Sequence, residues 1–201
     1  MDAVRVSALR ERLAGSGWLE AVGGFAGELR QAVSRRGAGE LLLVGTEAYE
    51  PWHLAAHLKD EAAWSDVPRL APTLLRHRVP AQAPAHLAHG LGRLAEAGRG
   101  ATVLVVAPTA AGATLLERVH DARRHGAAVL ALDGAGPGEA AGLADLAGLA
   151  HQRLAVGTAE EEPFDLAQHL LSAAAGQRPA RRPLLDRLAA LLTAQPTASR
   201  W

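Results

Sequence analysis

The stretch that most constrains this chain is ATVLVVAPTAAGATLLERVHDARRHGAAVLALD, residues 101–133. Thr102–Ala107 is a continuous valine-rich apolar run, which suits a strand buried on both faces better than one with a wet side. Pro108 stops it. Leu115, Leu116, Val119 and Ala122 follow at helical spacing, with Glu117, Arg118, Asp121 and Arg124 between them, and Gly126 stands where a helix of this length closes. A second apolar run, 127–132, ends on Asp133. Strand, helix and strand within about 30 residues is the size of a βαβ unit, whose strands are parallel and whose crossover is right-handed. Ligands of such sheets sit beyond the carboxyl ends of the strands. The loops 108–114 and 133–138 are therefore the first places to look for function.

The chain has 201 residues, 49% of them hydrophobic, enough for one α/β domain with a sizeable core. A second domain would leave both small. The expected division is 1–35 as N-terminal helices packing on the domain, 36–176 as the α/β domain, and 177–201 as linker, C-terminal helix and tail. Two helices, 2–14 and 18–35, are broken at Gly15-Ser16-Gly17, and the second carries a stripe of Leu19, Val22, Phe25, Leu29 and Val33. A short strand is expected at 41–44, then a turn opened by Gly45 and a helix with Pro51 as its first residue, running to about Trp64. Residues 67–72 read as a brief strand broken by proline, and 73–79 as a helical turn or loop. Residues 85–97 read as a helix ending at Gly98, despite Gly90 and Gly92. Further on, the pattern predicts a short helix over 139–147, a strand at 153–156, a helix from Pro163 through Ala175, and a final amphipathic helix over 184–193.

Basic and acidic residues number 21 each, so no global field draws the chain to nucleic acid or an anionic membrane, and neither is expected as a partner. Arg178, Arg181 and Arg182 are interleaved with proline and read as a linker. Cysteine is absent, which excludes disulfides, thiolate nucleophiles and cysteine-ligated metal centres. The first residues lack the uninterrupted apolar core of a signal peptide, and no later run reaches the roughly 20 apolar residues of a membrane span, so a cytoplasmic location is expected. A dinucleotide-binding Gly-x-Gly-x-x-Gly would fall on Ala107, Thr109 and Gly112, with Asp133 as the ribose acid. Only the third glycine is present, and β-carbons at the other two positions obstruct the pyrophosphate. No nucleotide cofactor is expected. No Ser/His/Asp spacing or nucleophile elbow is present either.

Histidine is the other chemistry-bearing residue. His53 and His57 are four apart on one face of an expected helix, with Asp60 and Glu61 one turn further along it. Asp165 and His169 form a second such pair. Solvated or capping roles suffice for His77, His86, His89, His120, His125 and His151.

The order of these elements over about residues 20–175 resembles the SIS, or sugar isomerase, domain of phosphosugar isomerases and phosphosugar-binding regulators. The segments that carry the resemblance are VLVVAPTAAGAT, in the place of a strand-Ser-x-Ser-Gly-x-Thr motif, ARRHGAAVLALD, and GLADLAGLAHQRLAV before the last strand. Length and layout are most similar to the small sedoheptulose-7-phosphate isomerases. The resemblance implies a single three-layer α/β domain, with about five parallel strands in flavodoxin-like order and helices on both faces. It places ligand contacts on Gly45, Thr46 and Glu47 after the first strand and on Thr109, Ala110, Ala111, Gly112 and Thr114 after the third. It implies that a catalytic or metal-binding His-x-x-x-Glu falls on His53 and His57, that a further histidine falls on His169, and that a glutamine falls near Glu161. His57 and His169 are thereby the expected catalytic pair. His53, His57 and His169, with Asp165 or Glu161, are the expected ligands of a divalent metal such as zinc.

This chain departs from the motifs at both turns. The later one offers only Thr109 and Thr114 as hydroxyls. In the earlier one, Glu47 and Glu50 repel a phosphate unless they point away or hold a cation. Two readings follow. One is a phosphosugar aldose–ketose isomerase; the other is a non-catalytic SIS-like module that binds a small metabolite or a partner. The apolar stripes of the terminal helices are most simply buried against a second copy, so a homodimer or tetramer is expected.

Overall fold

The computed structural model describes residues 17–135, 141–157 and 162–177. The expected helices 2–14 and 184–193, Glu161 and most of the 133–138 loop lie outside the described residues. Among the described residues five α-helices and five strands follow in the order α1 Trp18–Ser34, β1 Leu41–Val44, α2 Trp52–Trp64, β2 Pro72–Leu75, β3 Thr102–Ala107, α3 Ala113–Arg124, β4 Ala128–Ala135, α4 Ala141–Leu149, β5 Gln152–Gly157 and α5 Glu162–Gly176. The strands form one sheet in the order β2-β1-β3-β4-β5, every pair parallel.

Alternation along the strands divides the core between two faces, as period-2 geometry demands. Leu41, Leu43, Leu104, Val106, Leu130, Leu132, Leu154 and Val156 pack against α1, α2 and α5. Leu42, Val44, Val103, Val105, Val129 and Ala131 pack against Leu94, α3 and α4. The stripe read on α1 is the buried one, since Val22, Phe25, Leu29 and Val33 are at most 5% exposed. Each such side chain contributes about 1.5–3 kcal/mol by leaving water. Gly126 closes α3 as expected: its φ of 96° is the left-handed conformation, and Ala127 N–H reaches back to Ala122 O at 3.0 Å. Arg30 of α1 closes α5 by donating from Nη1 to Ala175 O and Gly176 O at 3.0 and 3.2 Å, while Nη2 holds Asp66 at 2.7 Å. Orphan carbonyls at a helix end thus gain a charged donor.

Four expectations are corrected. The strand expected in 67–72 is a 3-10 turn, Pro68–Leu70, and the strand lies after it at Pro72–Leu75, mostly within the 73–79 expected as turn or loop. Proline is tolerated there because it is the first residue of an edge strand. The helix expected over 85–97 is two 3-10 segments, Ala85–Leu87 and Leu91–Glu96. Gly90 is extended between them, with ψ 175°, and forms a bridge to Arg76. Pro51 is the N-cap of α2, not its first helical residue. Finally, β4 runs past Asp133 to Ala135, so Asp133 is a fully buried strand residue, not a loop acid.

Candidate functional site

Connections from β1 and β3 leave toward opposite edges of the sheet, so their carboxyl ends border the crevice where open α/β sheets take ligands. After β1 the chain turns tightly. Thr46 pairs with Tyr49 in an antiparallel bridge, and Tyr49 N–H donates to Thr46 O at 3.1 Å. His77 Nε2 donates to Gly45 O at 3.0 Å, which corrects the solvated or capping role expected of it. Thr46 is 2% exposed and its Oγ1 has no hydrogen-bond partner. After β3, Ala111 is buried, while Thr109, Ala110, Gly112 and Thr114 are exposed. Gly112 caps α3 without a side-chain hydrogen bond, leaving first-turn N–H groups open to a ligand.

Neither carboxylate of the first turn stands alone. Glu50 accepts from Arg76 Nε at 3.2 Å on both oxygens, and Arg76 Cζ lies 4.9 Å from the Trp52 ring centroid. Glu47 pairs with Arg78 at 3.0 Å on the open surface. Both arginines come from the segment after β2. They neutralise the acids that would otherwise repel an anion at this turn.

The two helical pairs of ligand-type residues meet. His57 and His169 stand edge to face, ring centroids 4.3 Å apart, and His53 is 6.4 Å from His57 and 6.1 Å from His169. Both helices begin at the carboxyl edge of the sheet, which is why residues in their first two turns converge. His169 is not merely a core-edge residue beside Leu166 and Leu170. Desolvation pushes its pKa below the ordinary 6.5, the charges of His57 and His53 push it further, and Asp165 opposes them. Asp165 itself accepts from Gln168 Nε2 at 3.1 Å and from Tyr49 Oη at 3.4 Å. Gln168 Nε2 also reaches Tyr49 Oη at 2.7 Å, and Gln168 Oε1 is buried without a partner. Burial raises the Tyr49 pKa, and the Asp165 carboxylate adds to that against the Gln168 hydrogen bond. Tyr49 also meets Phe164 at 5.9 Å, edge to face. Tyr49 and Gln168, which sequence reading did not single out, thus tie the first turn to the histidine cluster.

Among the described residues no three His, Cys, Asp or Glu side chains are placed to hold an ion.

The depressed His169 pKa carries a pH prediction. The unfolded chain takes up this proton first, so stability is full above about pH 6.5, falls as pH drops toward the folded-state value, and is level below it. Urea midpoints at about pH 7.5 and about pH 5.5 should therefore differ more in the parent than in His169→Gln. Equal pH dependence in the two proteins would refute the assignment.

No protein-family model matches the chain and no curated protein matches it. Solved structures do. The "Putative sugar binding protein" of Salmonella typhimurium LT2 is 20% identical with a TM-score of 0.53, over 87% of this chain and 50% of that one. The Vibrio vulnificus NanR protein, complexed with ManNAc-6P, is 12% identical with a TM-score of 0.51, over 85% of this chain and 60% of that one. The sugar isomerase domain of an RpiR transcription factor from Sphaerobacter thermophilus aligns at 16% identity and a TM-score of 0.49, over 84% of each chain. This chain spans half the length of the first and 60% of the second. Among the described residues no helix is long and apolar enough to cross a membrane. At 12% and 20% identity the likeness is one of fold, and that fold is an SIS-like α/β domain with a single five-stranded parallel sheet.

Proposed function

We propose that this chain is an SIS-like phosphosugar-binding protein. The observation that carries the reading is the crevice between the carboxyl ends of β1 and β3, where the strand order reverses and the Thr46 hydroxyl is buried without a partner. The bound ManNAc-6P of the NanR structure supports the ligand class. The phosphate would be held by open N–H groups at the start of α3, and the missing serines are less damaging because Arg76 and Arg78 offset Glu50 and Glu47.

A thermal-shift screen against sugar phosphates tests this. A ligand at 100 times its Kd should stabilise the protein by about 2.7 kcal/mol. Thr46→Val, which removes an unpaired hydroxyl at constant shape, should leave the unliganded stability within about 1 kcal/mol while lowering the ligand-induced shift. No shift with any sugar phosphate ends the proposal.

His169 favours a catalytic reading within it. An imidazole kept neutral at neutral pH is suited to move a proton between adjacent carbons of an open-chain sugar phosphate, as an aldose–ketose isomerase requires. Exchange of the substrate C2 hydrogen with deuterated solvent, lost in His169→Gln, is the expected result. Ligand binding without exchange assigns the chain to the alternative, a non-catalytic sensing module. The expectation of a divalent ion at His53, His57, Asp165 and His169 is tested by elemental analysis of protein purified without chelator. The same reading places the protein in the cytoplasm as a self-associating subunit, and light scattering that gives a mass near 20.9 kDa would remove self-association.

A further inference from the structure

We infer that Tyr49 and Asp165 form a clasp for one hydroxyl group of the sugar, Tyr49 donating a hydrogen bond to the hydroxyl oxygen and Asp165 accepting one from the hydroxyl. The inference rests on the phosphosugar reading of the crevice and concerns the part of the ligand that the phosphate seat does not touch. The two side chains come from distant parts of the chain, Tyr49 from the turn after β1 and Asp165 from the first turn of α5. Tyr49 Oη lies 3.4 Å from Asp165 Oδ1, which is long for a bond whose heavy atoms ordinarily stand about 2.5–3.0 Å apart. Donor and acceptor are neighbours that do not fully satisfy each other.

The pair is held from the inside and open on the outside. Gln168, 1% exposed, donates from Nε2 to Tyr49 Oη at 2.7 Å and to Asp165 Oδ1 at 3.1 Å, with a longer contact to Phe164 O at 3.5 Å. One buried amide thus orients both groups. Because Oη already accepts from that amide, the phenol's own hydrogen is what it has left to give, and Asp165 takes it only at long range. The edge-to-face contact with Phe164 at 5.9 Å fixes the ring. Tyr49 is half-buried and Asp165 exposed, so a ligand can reach both. Gln168 Oε1 has no partner, and burying an amide with one end unmet is unfavourable, which a side chain that only filled space would avoid.

The chemistry of the pair selects its ligand group. An O–H donor beside a carboxylate complements a hydroxyl, which takes one hydrogen bond and gives another. A phosphate oxygen can only accept and is repelled by Asp165, and a methylene can do neither. The phosphate therefore belongs at the start of α3 and the uncharged polyol end at Tyr49 and Asp165. Asp165 and His169 are four apart on one face of α5, so a hydroxyl held here lies beside the imidazole cluster.

Tyr49 is the only tyrosine of the chain, which makes the test direct. Full-length protein carrying carbon-13 at the tyrosine ring carbon that bears oxygen gives one magnetic-resonance signal, and that signal reports on the hydroxyl. The sugar phosphate that stabilises the protein most in the thermal-shift screen should move it, and inorganic phosphate, which fills only the seat at α3, should leave it in place. Tyr49→Phe, which keeps the ring against Phe164, should bind the same sugar phosphate about tenfold more weakly, the loss of one hydrogen bond. Among monodeoxy analogues of that sugar phosphate, one should lose a like factor against the parent and nothing further against Tyr49→Phe, a coupling that a purely structural tyrosine does not produce. Circular dichroism and a melting temperature like the parent's show that the variant is folded; if it is not, the labelled parent decides alone. An unmoved signal at saturating sugar phosphate overturns the inference and leaves the phosphosugar reading standing. So does equal affinity in the parent and Tyr49→Phe, or analogues that lose equally against both. A parent that binds no sugar phosphate removes the reading and the clasp together.

Discussion

Gly45→Ala is expected to cost about 4 kcal/mol or more, placing it in the exceptional tail of single substitutions. The glycine is not there for a left-handed backbone, since its φ is not among the positive ones. It is there for space. A β-carbon at residue 45 would stand 1.8 Å from Tyr49 O, 2.7 Å from Pro51 Cδ and 2.9 Å from Tyr49 C. Two of those atoms are backbone and the third belongs to a proline ring, so no flexible tip can swing aside. The turn must open, and with it go the Thr46–Tyr49 bridge, the His77 hydrogen bond to Gly45 O and the Tyr49 contacts with Asp165 and Gln168. Urea unfolding should show the midpoint falling with the slope unchanged, because compactness is not altered. Ligand response should disappear together with stability. A variant within about 0.5 kcal/mol of the parent would mean that the turn is far softer than its packing implies.

Arg153→Ala is expected to be the second most damaging change, at about 3–5 kcal/mol. Asp133 is fully buried on β4, and Arg153 of β5 closes on it with both arms, Nε to Oδ2 at 2.6 Å and Nη2 to Oδ1 at 2.9 Å. The pair is lopsided, because the Arg153 side chain keeps 37% of its surface in water. Removing the arginine strands a carboxylate inside the protein, whereas Asp133→Asn leaves a guanidinium that can turn outward. The aspartate variant should therefore lose less. Asp133→Leu combined with Arg153→Leu should recover most of the loss, since a buried pair replaced by apolar side chains is often neutral. If Arg153→Ala costs no more than Asp133→Asn in urea titrations, the asymmetry drawn from burial is wrong.

The sequence made the centre of this fold legible and its edge illegible, for physical reasons. Thr102–Ala107 could be read as a strand because a central strand is apolar on both faces, leaving one interpretation for a valine run. Pro72–Leu75 sits at the sheet edge, is only four residues long and begins with proline, so local preference points away from the pairing that β1 imposes. In 85–97, alanine and leucine mimic helix content, but Gly90 and Gly92 lower the cost of leaving the helix and the bridge to Arg76 draws the backbone extended.

The rings of His53, His57 and His169 lie with centroids 4.3 to 6.4 Å apart. An i,i+4 pair fixes a face, and helices starting at one edge of a parallel sheet bring such faces together. Tyr49, Gln168 and the arginines opposite Glu47 and Glu50 could not be found this way. Each owes its role to a contact between segments distant in the chain, and no periodicity encodes that.

The strand order also sets a timetable for folding. β3, β4 and β5 are neighbours in space and consecutive in the chain, so each can zip onto the last through a single crossover. β1 must wait for β3 across residues 45–101, and β2 has only β1 to pair with. Closing the longer loop carries the larger entropic toll, which is met before its contacts form. Core truncations in β3 and β4 should therefore slow refolding, whereas those in β2 should chiefly hasten unfolding. Because the first turn is strung between β1 and α2, the crevice would take shape late, after most of the apolar surface is already hidden.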